Sequence, residues 1–190
     1  MRTALVSGAG QRANELADRL RAAGHDVSLH DPAAGAPPSA DHVDYYLQLP
    51  ITVTLEGDSL VARVHSFLSG GLLARFALVE QLLPGLSQGA RVVLVSGNTT
   101  DSAAALPDDQ HSRLALLHVL AHAAKAELAE RDVRVQVVSG DRSDEEIVDY
   151  LLHGGEDTSV RLLDETAAPS SKQYEDWRTE VMGLMSPVTA

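Results

Sequence analysis

A chain of 190 residues, 44% of them hydrophobic, has the size and composition of one domain around one core. A net charge of −12, with no cluster of Lys or Arg, argues against a surface that neutralises phosphates, so binding to nucleic acid or to an anionic membrane is not expected. The lack of cysteine excludes disulfides, thiolate catalysis and Cys-ligated zinc. With no signal-like apolar region after Met1 and no uninterrupted apolar run of spanning length, the chain reads as a soluble, cytoplasmic protein. Lys125 and Lys172 are the only lysines beside many arginines, alanines and glycines, a composition that points to a GC-rich bacterial genome.

Thr3-Ala4-Leu5-Val6-Ser7 is a short β-rich run closed by Gly8-Ala9-Gly10, after which Ala13, Leu16, Ala17 and Leu20 recur at helical spacing until Gly24. Residues 25–31 alternate as a second strand. Strand, glycine turn, helix and a second strand ending on an acid make the start of a dinucleotide-binding unit. The turn lets backbone N–H groups approach a pyrophosphate at the helix N-terminus, and the acid takes the ribose hydroxyls. Gly8, Gly10 and Asp31 stand where those roles fall, with Arg12 available as a cation for phosphate. The glycine pattern is broken, because Arg12 and Asn14 occupy the places of its two later glycines and crowd the helix start. No cofactor is therefore expected, with NAD or NADP as the alternative.

Residues 32–40 form a linker by composition, and 43–49 a buried strand. Residues 60–83 carry a helical pattern stopped by Pro84-Gly85; residues 91–139 read as a strand, a long helix at 110–128 and a further strand. A short helix with an acidic start comes next at 144–153, then a last strand at 159–163. An amphipathic helix at 170–185 carries Tyr174, Trp177, Val181 and Leu184 on one stripe. The predicted fold is α/β, three layers with a doubly wound, mostly parallel sheet, in a single domain over 1–190 whose residues 165–190 are a C-terminal extension.

Residues 91–98, the helix end Glu127-Leu128-Ala129 and the segment Ser66-Phe67-Leu68-Ser69-Gly70 together resemble the short-chain dehydrogenases/reductases, whose motif at the last of these is Val-Asn-Leu-Thr-Gly. The likeness spans about residues 1–165 and implies a Rossmann-like fold. The stretch between Asp31 and Val43 is too short for the further helix and strand of that family, so the sheet is expected to be trimmed at the edge that walls the adenine. The resemblance also implies a catalytic Asn, Ser, Tyr and Lys. Counting along the matched segments, those four roles fall on Phe67, Gly97, Gln110 and Leu114. In the family the phenol exchanges a proton while the lysine's charge lowers its pKa, and an amide beside an aliphatic side chain has no group that titrates near neutral pH. The resemblance thus implies a dehydrogenase-like scaffold without its reaction, a pseudoenzyme with no catalytic residue.

His111, His118 and His122 fall on one helical stripe, and His118 and His122 have the i, i+4 spacing that can grip a metal ion. Val119 stands where the His-Glu-x-x-His proteases have their glutamate. A packing or interface role is expected, and no metal site is assigned.

The helix at 110–128 has little polar face, with Leu114, Leu116, Leu117, Val119, Leu120, Ala121, Ala123, Ala124 and Leu128 along it, so burial all round is expected. In the family this helix and the preceding one pair with their copies in a second subunit. The resemblance thus implies a homodimer, or a heteromer with an active dehydrogenase-like subunit, through helices 60–83 and 110–128. Leu114 and Leu117 are then expected toward the sheet, and Leu116 and Leu120 on another side. The favoured expectation is a non-catalytic subunit that assembles or stabilises an enzyme complex, as partner of an active ketoreductase-type enzyme in biosynthesis. Two alternatives stay open. One is an enzyme of the same fold with redirected chemistry or NAD(P)-dependent oxidoreductase activity, in a crevice where Ser96, Asn98, Gln110 and His111 gather; the other is a nucleotide-sensing binding module.

Overall fold

In a computed structural model of the chain, the structure describes residues 1–35, 37, 42–51, 56–96, 116–117, 119–121, 123–124, 128–140 and 142–154. The chain divides into two compact units, Met1–Ser159 and Val160–Ala190, and every described residue belongs to the first. The predicted helix at 170–185 and the strand at 159–163 lie outside the described residues.

Five strands, β1 (Thr3–Ser7), β2 (Asp26–His30), β3 (Val43–Gln48), β4 (Leu86–Val95) and β5 (Arg134–Val138), pair in the order β2-β1-β3-β4-β5. All four pairings are parallel. A parallel sheet is covered on both faces, which is why β3 and β4 read as near-continuous apolar runs rather than as alternations. On one face Val6, Leu47, Val93 and Val138 pack with Leu16 and Leu20 of α1 (Gln11–Ala22) and with Ile147 and Leu151 of α5 (Asp144–His153). On the other, Leu5, Tyr46, Leu94 and Val137 pack with Leu72, Val79 and Leu82 and with Leu117 and Ala121. The sheet is therefore the middle of three layers, as the sequence predicts, and among the described residues it ends at β2 on one side. The chain leaves β1 toward β2 and β2 toward β3, so the topological switch point lies between β1 and β3.

The helix predicted at 60–83 departs from a plain α-helix. It runs as α2 (Leu60–Ser66), a π-helical stretch (Phe67–Leu73) and α3 (Ala74–Leu82). A π turn holds more residues than an α turn and so rotates the helix on its C-terminal side relative to the helix on its N-terminal side. After the rotation, Leu72, Arg75, Val79 and Leu82 lie on one buried line, whereas α2 buries no residue at all. The stretch Leu60–Gly85 has the length of a membrane span, and a window of 18 residues within it has a mean hydropathy of 1.2. The expectation of no spanning-length run thus holds only for uninterrupted apolar sequence, since Arg63, Arg75 and Glu80 punctuate this stretch.

A further helix, α4, is seen at residues 116–117, 119–121, 123–124 and 128–130. Leu117, Ala121 and Leu128 are buried on the sheet, in line with the expectation for Leu117. In the single chain Val119 is exposed. Leu116 and Leu120 are half-buried and pack against the core; being next to the inward residues on the same stripe, they are no clean probes of an outward surface. α5 keeps the predicted bounds, 144–153, because Ser143 and Glu146 close a capping box at its start.

Leu94 lies fully buried in β4, so Leu94→Ala should cost about 2–5 kcal/mol in denaturant unfolding. Leu60→Ala, at a side chain 79% exposed, should stay within about 0.5 kcal/mol for the monomeric chain.

Candidate functional site

The glycine turn sits at the carboxyl end of β1, beside the end of β2: Gly8 N donates to His30 O at 2.9 Å. A Cβ on Gly8 would come within 2.8 Å of the Leu49 side chain, so glycine is needed there for the close approach of the turn to β3. Gly10 has φ of +83°, a conformation side chains disfavour, and serves as the N-cap of α1. Arg12 in the first turn is committed elsewhere. Its Nε donates to Asp144 Oδ1 at 2.9 Å, Nη1 to Gly140 O at 2.8 Å and Nη2 to Arg142 O at 2.9 Å. These bonds tie the start of α1 to the loop between β5 and α5. Asn14 donates to Gly10 O at 3.0 Å. Asp31 accepts from Ala33 N at 2.9 Å and caps the short 3-10 turn Pro32–Ala34. The structure brings Gly8, Gly10, Arg12 and Asp31 to one end of the sheet, and it gives Arg12 and Asp31 internal partners.

On the α3/α4 face, a chain of buried polar side chains crosses that same end of the sheet. Ser7 is paired in register with His30 on one side and with Gln48 on the other. His30 Nε2 lies 3.0 Å from Gly35 O, which can only accept, so Nε2 carries the proton in the neutral ring. Nδ1 then accepts from the Ser7 hydroxyl at 3.0 Å. Ser7 is also a partner of the Tyr46 phenol. Gln48 Nε2 donates to Tyr46 Oη at 3.1 Å and to Arg75 O at 3.2 Å. Arg75 closes the chain: Nε donates to Gln48 Oε1 at 2.9 Å, and Nη2 donates to Gln48 O at 3.1 Å and to Val95 O at 2.8 Å.

Burial lowers the Arg75 pKa to about 10, partly offset by Tyr46, so the guanidinium stays charged at neutral pH although its surroundings oppose the charge. Burial pushes the Tyr46 phenol up, and hydrogen bonds to Ser7 and Gln48 and the charge of Arg75 pull it back in part. No carboxylate pairs with Arg75 among the described residues. Sequence reasoning missed this arginine. The signal was its place in step with Leu72, Val79 and Leu82 on an apolar helical stripe.

Ser96, the first residue after β4, is buried and donates its N–H to Val138 O at 2.8 Å. Asn98, Gln110 and His111, which the sequence places near it, lie outside the described residues, as do Gly97 and Leu114. Of the four positions matched to catalytic roles, Phe67 alone is described. It is half-buried, packed against the α3/α4-face core. No group of three or more His, Asp or Glu side chains that could hold a metal is found among the described residues, and His118 and His122 lie outside them.

No family model matches the sequence, and no curated protein does. Solved structures do match. A double variant of a Serratia marcescens short-chain dehydrogenase/reductase is 16% identical, with a TM-score of 0.55 over 84% of this chain and 91% of that one. A crystal structure of a small-chain dehydrogenase is 17% identical, with a TM-score of 0.58 over 82% of this chain and 89% of that one. The fold is that of the short-chain dehydrogenases/reductases. A Listeria innocua protein is 15% identical, with a TM-score of 0.55 over 98% of this chain and 96% of that one. Identities this low speak for the dehydrogenase-like fold alone.

The clamp made by Arg12 can be measured. Arg12→Ala removes three donors and leaves Asp144, whose side chain is 16% exposed, without its cation; a loss of about 1–3 kcal/mol in thermal or denaturant unfolding is expected.

Proposed function

We propose that the chain is a non-catalytic, dehydrogenase-like subunit that works by association. It pairs with a second copy, or with an active ketoreductase-type relative, and stabilises an enzyme complex in biosynthesis. The observation that carries this reading is the apolar surface of α2 and the π-helical stretch. Leu60 and Val61 are 79% and 77% exposed, Leu73 is 54% exposed, and Val64 and Leu68 lie open between them. A helix of two turns with no buried residue gains little stability from its own hydrogen bonds, and large exposed apolar side chains in one patch mark an interaction surface. Val119 of α4 adds an exposed apolar side chain to the same layer of the sheet.

In this reading Phe67, Gly97, Gln110 and Leu114 have no catalytic role, and no cofactor or metal is required. The packing of the half-buried Phe67 against the core supports that assignment, because a ring so placed serves the fold. The three hydrogen bonds of Arg12 support it too, since they commit the guanidinium to Asp144 and the β5–α5 loop rather than to a phosphate. The acidic, cysteine-free composition suits a cytoplasmic bacterial protein.

The reading is tested by sedimentation at tens of micromolar, where the wild type should run as a dimer or larger and Val64→Glu with Leu68→Glu as a folded monomer, because an unpaired charge is not tolerated in a desolvated apolar contact. A monomeric wild type that also fails to co-purify with a dehydrogenase-like chain would remove the proposal. Calorimetric titration with NADH or NADPH should give no binding tighter than about 1 mM, roughly 4 kcal/mol. Micromolar affinity would instead favour an NAD(P)-dependent enzyme.

A further inference from the structure

The exposed side of α2, the π-helical stretch and α3 is ordered so as to match itself. Val61, Val64, Leu68 and Leu73 are exposed at helical spacings, and the longer step from Leu68 to Leu73 falls in the π-helical stretch, whose turns hold more residues. Ala77 and Glu80, also exposed, continue this side along α3, away from the buried line of Leu72, Arg75, Val79 and Leu82. The six positions are symmetric about the Gly70–Gly71 peptide bond: Leu68 and Leu73 lie equally far from it along the chain, as do Val64 and Ala77, and Val61 and Glu80. Two copies of such a face fit when they run antiparallel, because a two-fold axis sets each position of a symmetric pair against the other.

Charge selects the same direction. The charged side chains exposed along this helix are Arg63 and His65 in α2 and Glu80 in α3, so the basic groups stand at one end and the acid at the other. Glu56 and Asp58 come before the N-cap Ser59 and so precede the helix. A parallel pair sets like ends together, whereas an antiparallel pair brings each Glu80 to the basic end of the other copy, opposite Val61 and one turn from His65. No acid occurs from Leu60 to Val79, although the chain as a whole carries a net charge of −12. Two such chains repel over most of their surface, and this stretch is one where they need not.

We propose that the occupant of this face is a second copy of the chain, its helix antiparallel to the first with Gly70–Gly71 at the two-fold axis. Leu68 of each copy then packs on Leu73 of the other, and Val64 on Ala77. The proposal rests on the association reading and narrows it to self-pairing in one register.

Because the chain has no cysteine, thiols introduced singly report the contact in the full-length protein. Val64→Cys and Ala77→Cys, both at exposed positions, are mixed at tens of micromolar, left to exchange and mildly oxidised. The mixture should give a disulfide-linked dimer on a non-reducing gel, since the bridge needs Cβ atoms about 4 Å apart. Either variant alone should give none, because the axis holds two copies of one position about 15 Å or more apart. Val64→Cys that links to itself, or a wild type that sediments as a dimer while the mixture does not link, would overturn the proposal and leave the association reading in place. A wild type that is monomeric alone and recovered only with a dehydrogenase-like chain would do the same. A monomer without any partner removes both.

Discussion

The position of one buried charge organises the α3/α4 face. For Arg75 to reach Gln48 O and Val95 O, α3 must present it to the sheet, in line with Leu72, Val79 and Leu82. The π-helical stretch Phe67–Leu73 sets that rotation, and Gly70 and Gly71 within it allow the backbone to widen without side-chain conflict. The same stretch leaves α2 without a buried residue, so Leu60, Val61 and Val64 face outward. The fixed arginine and the exposed apolar surface are two consequences of one helix geometry.

On the opposite face, a second arginine acts in another way. Arg12 stands in the first turn of α1, the place where a dinucleotide fold receives a pyrophosphate. Its guanidinium is satisfied by Asp144 and by the carbonyls of Gly140 and Arg142. These bonds hold the start of α1 against the loop between β5 and α5.

Much of this fold can be read from the residues, for identifiable reasons. The β-branched run Val92-Val93-Leu94-Val95 favours a strand buried on both faces, and Ser143 with Glu146 fixes the start of α5. Among the described residues no strand lies beyond β2, a consequence of the short stretch between Asp31 and Val43. The π-helical stretch is not legible, since apolar residues keep recurring through it and nothing in their order marks the change of phase. The roles of Arg12 and Arg75 are hidden for a different reason: an arginine on a helix is most often solvated, and only the tertiary fold decides otherwise. Leu116 and Leu120 mislead because a helix that packs broadly buries neighbours of its central stripe as well.

The central claim is that the chain has kept the dehydrogenase-like scaffold and an association surface while giving up the dinucleotide turn. Hydrogen exchange measured along the full chain addresses both halves at once. Exchange at residues 60–73 should slow as protein concentration rises, or on adding the partner chain, and NADH should leave residues 8–14 unchanged. Exchange at 60–73 that is independent of concentration and partner, or protection of 8–14 by NADH, would contradict the account.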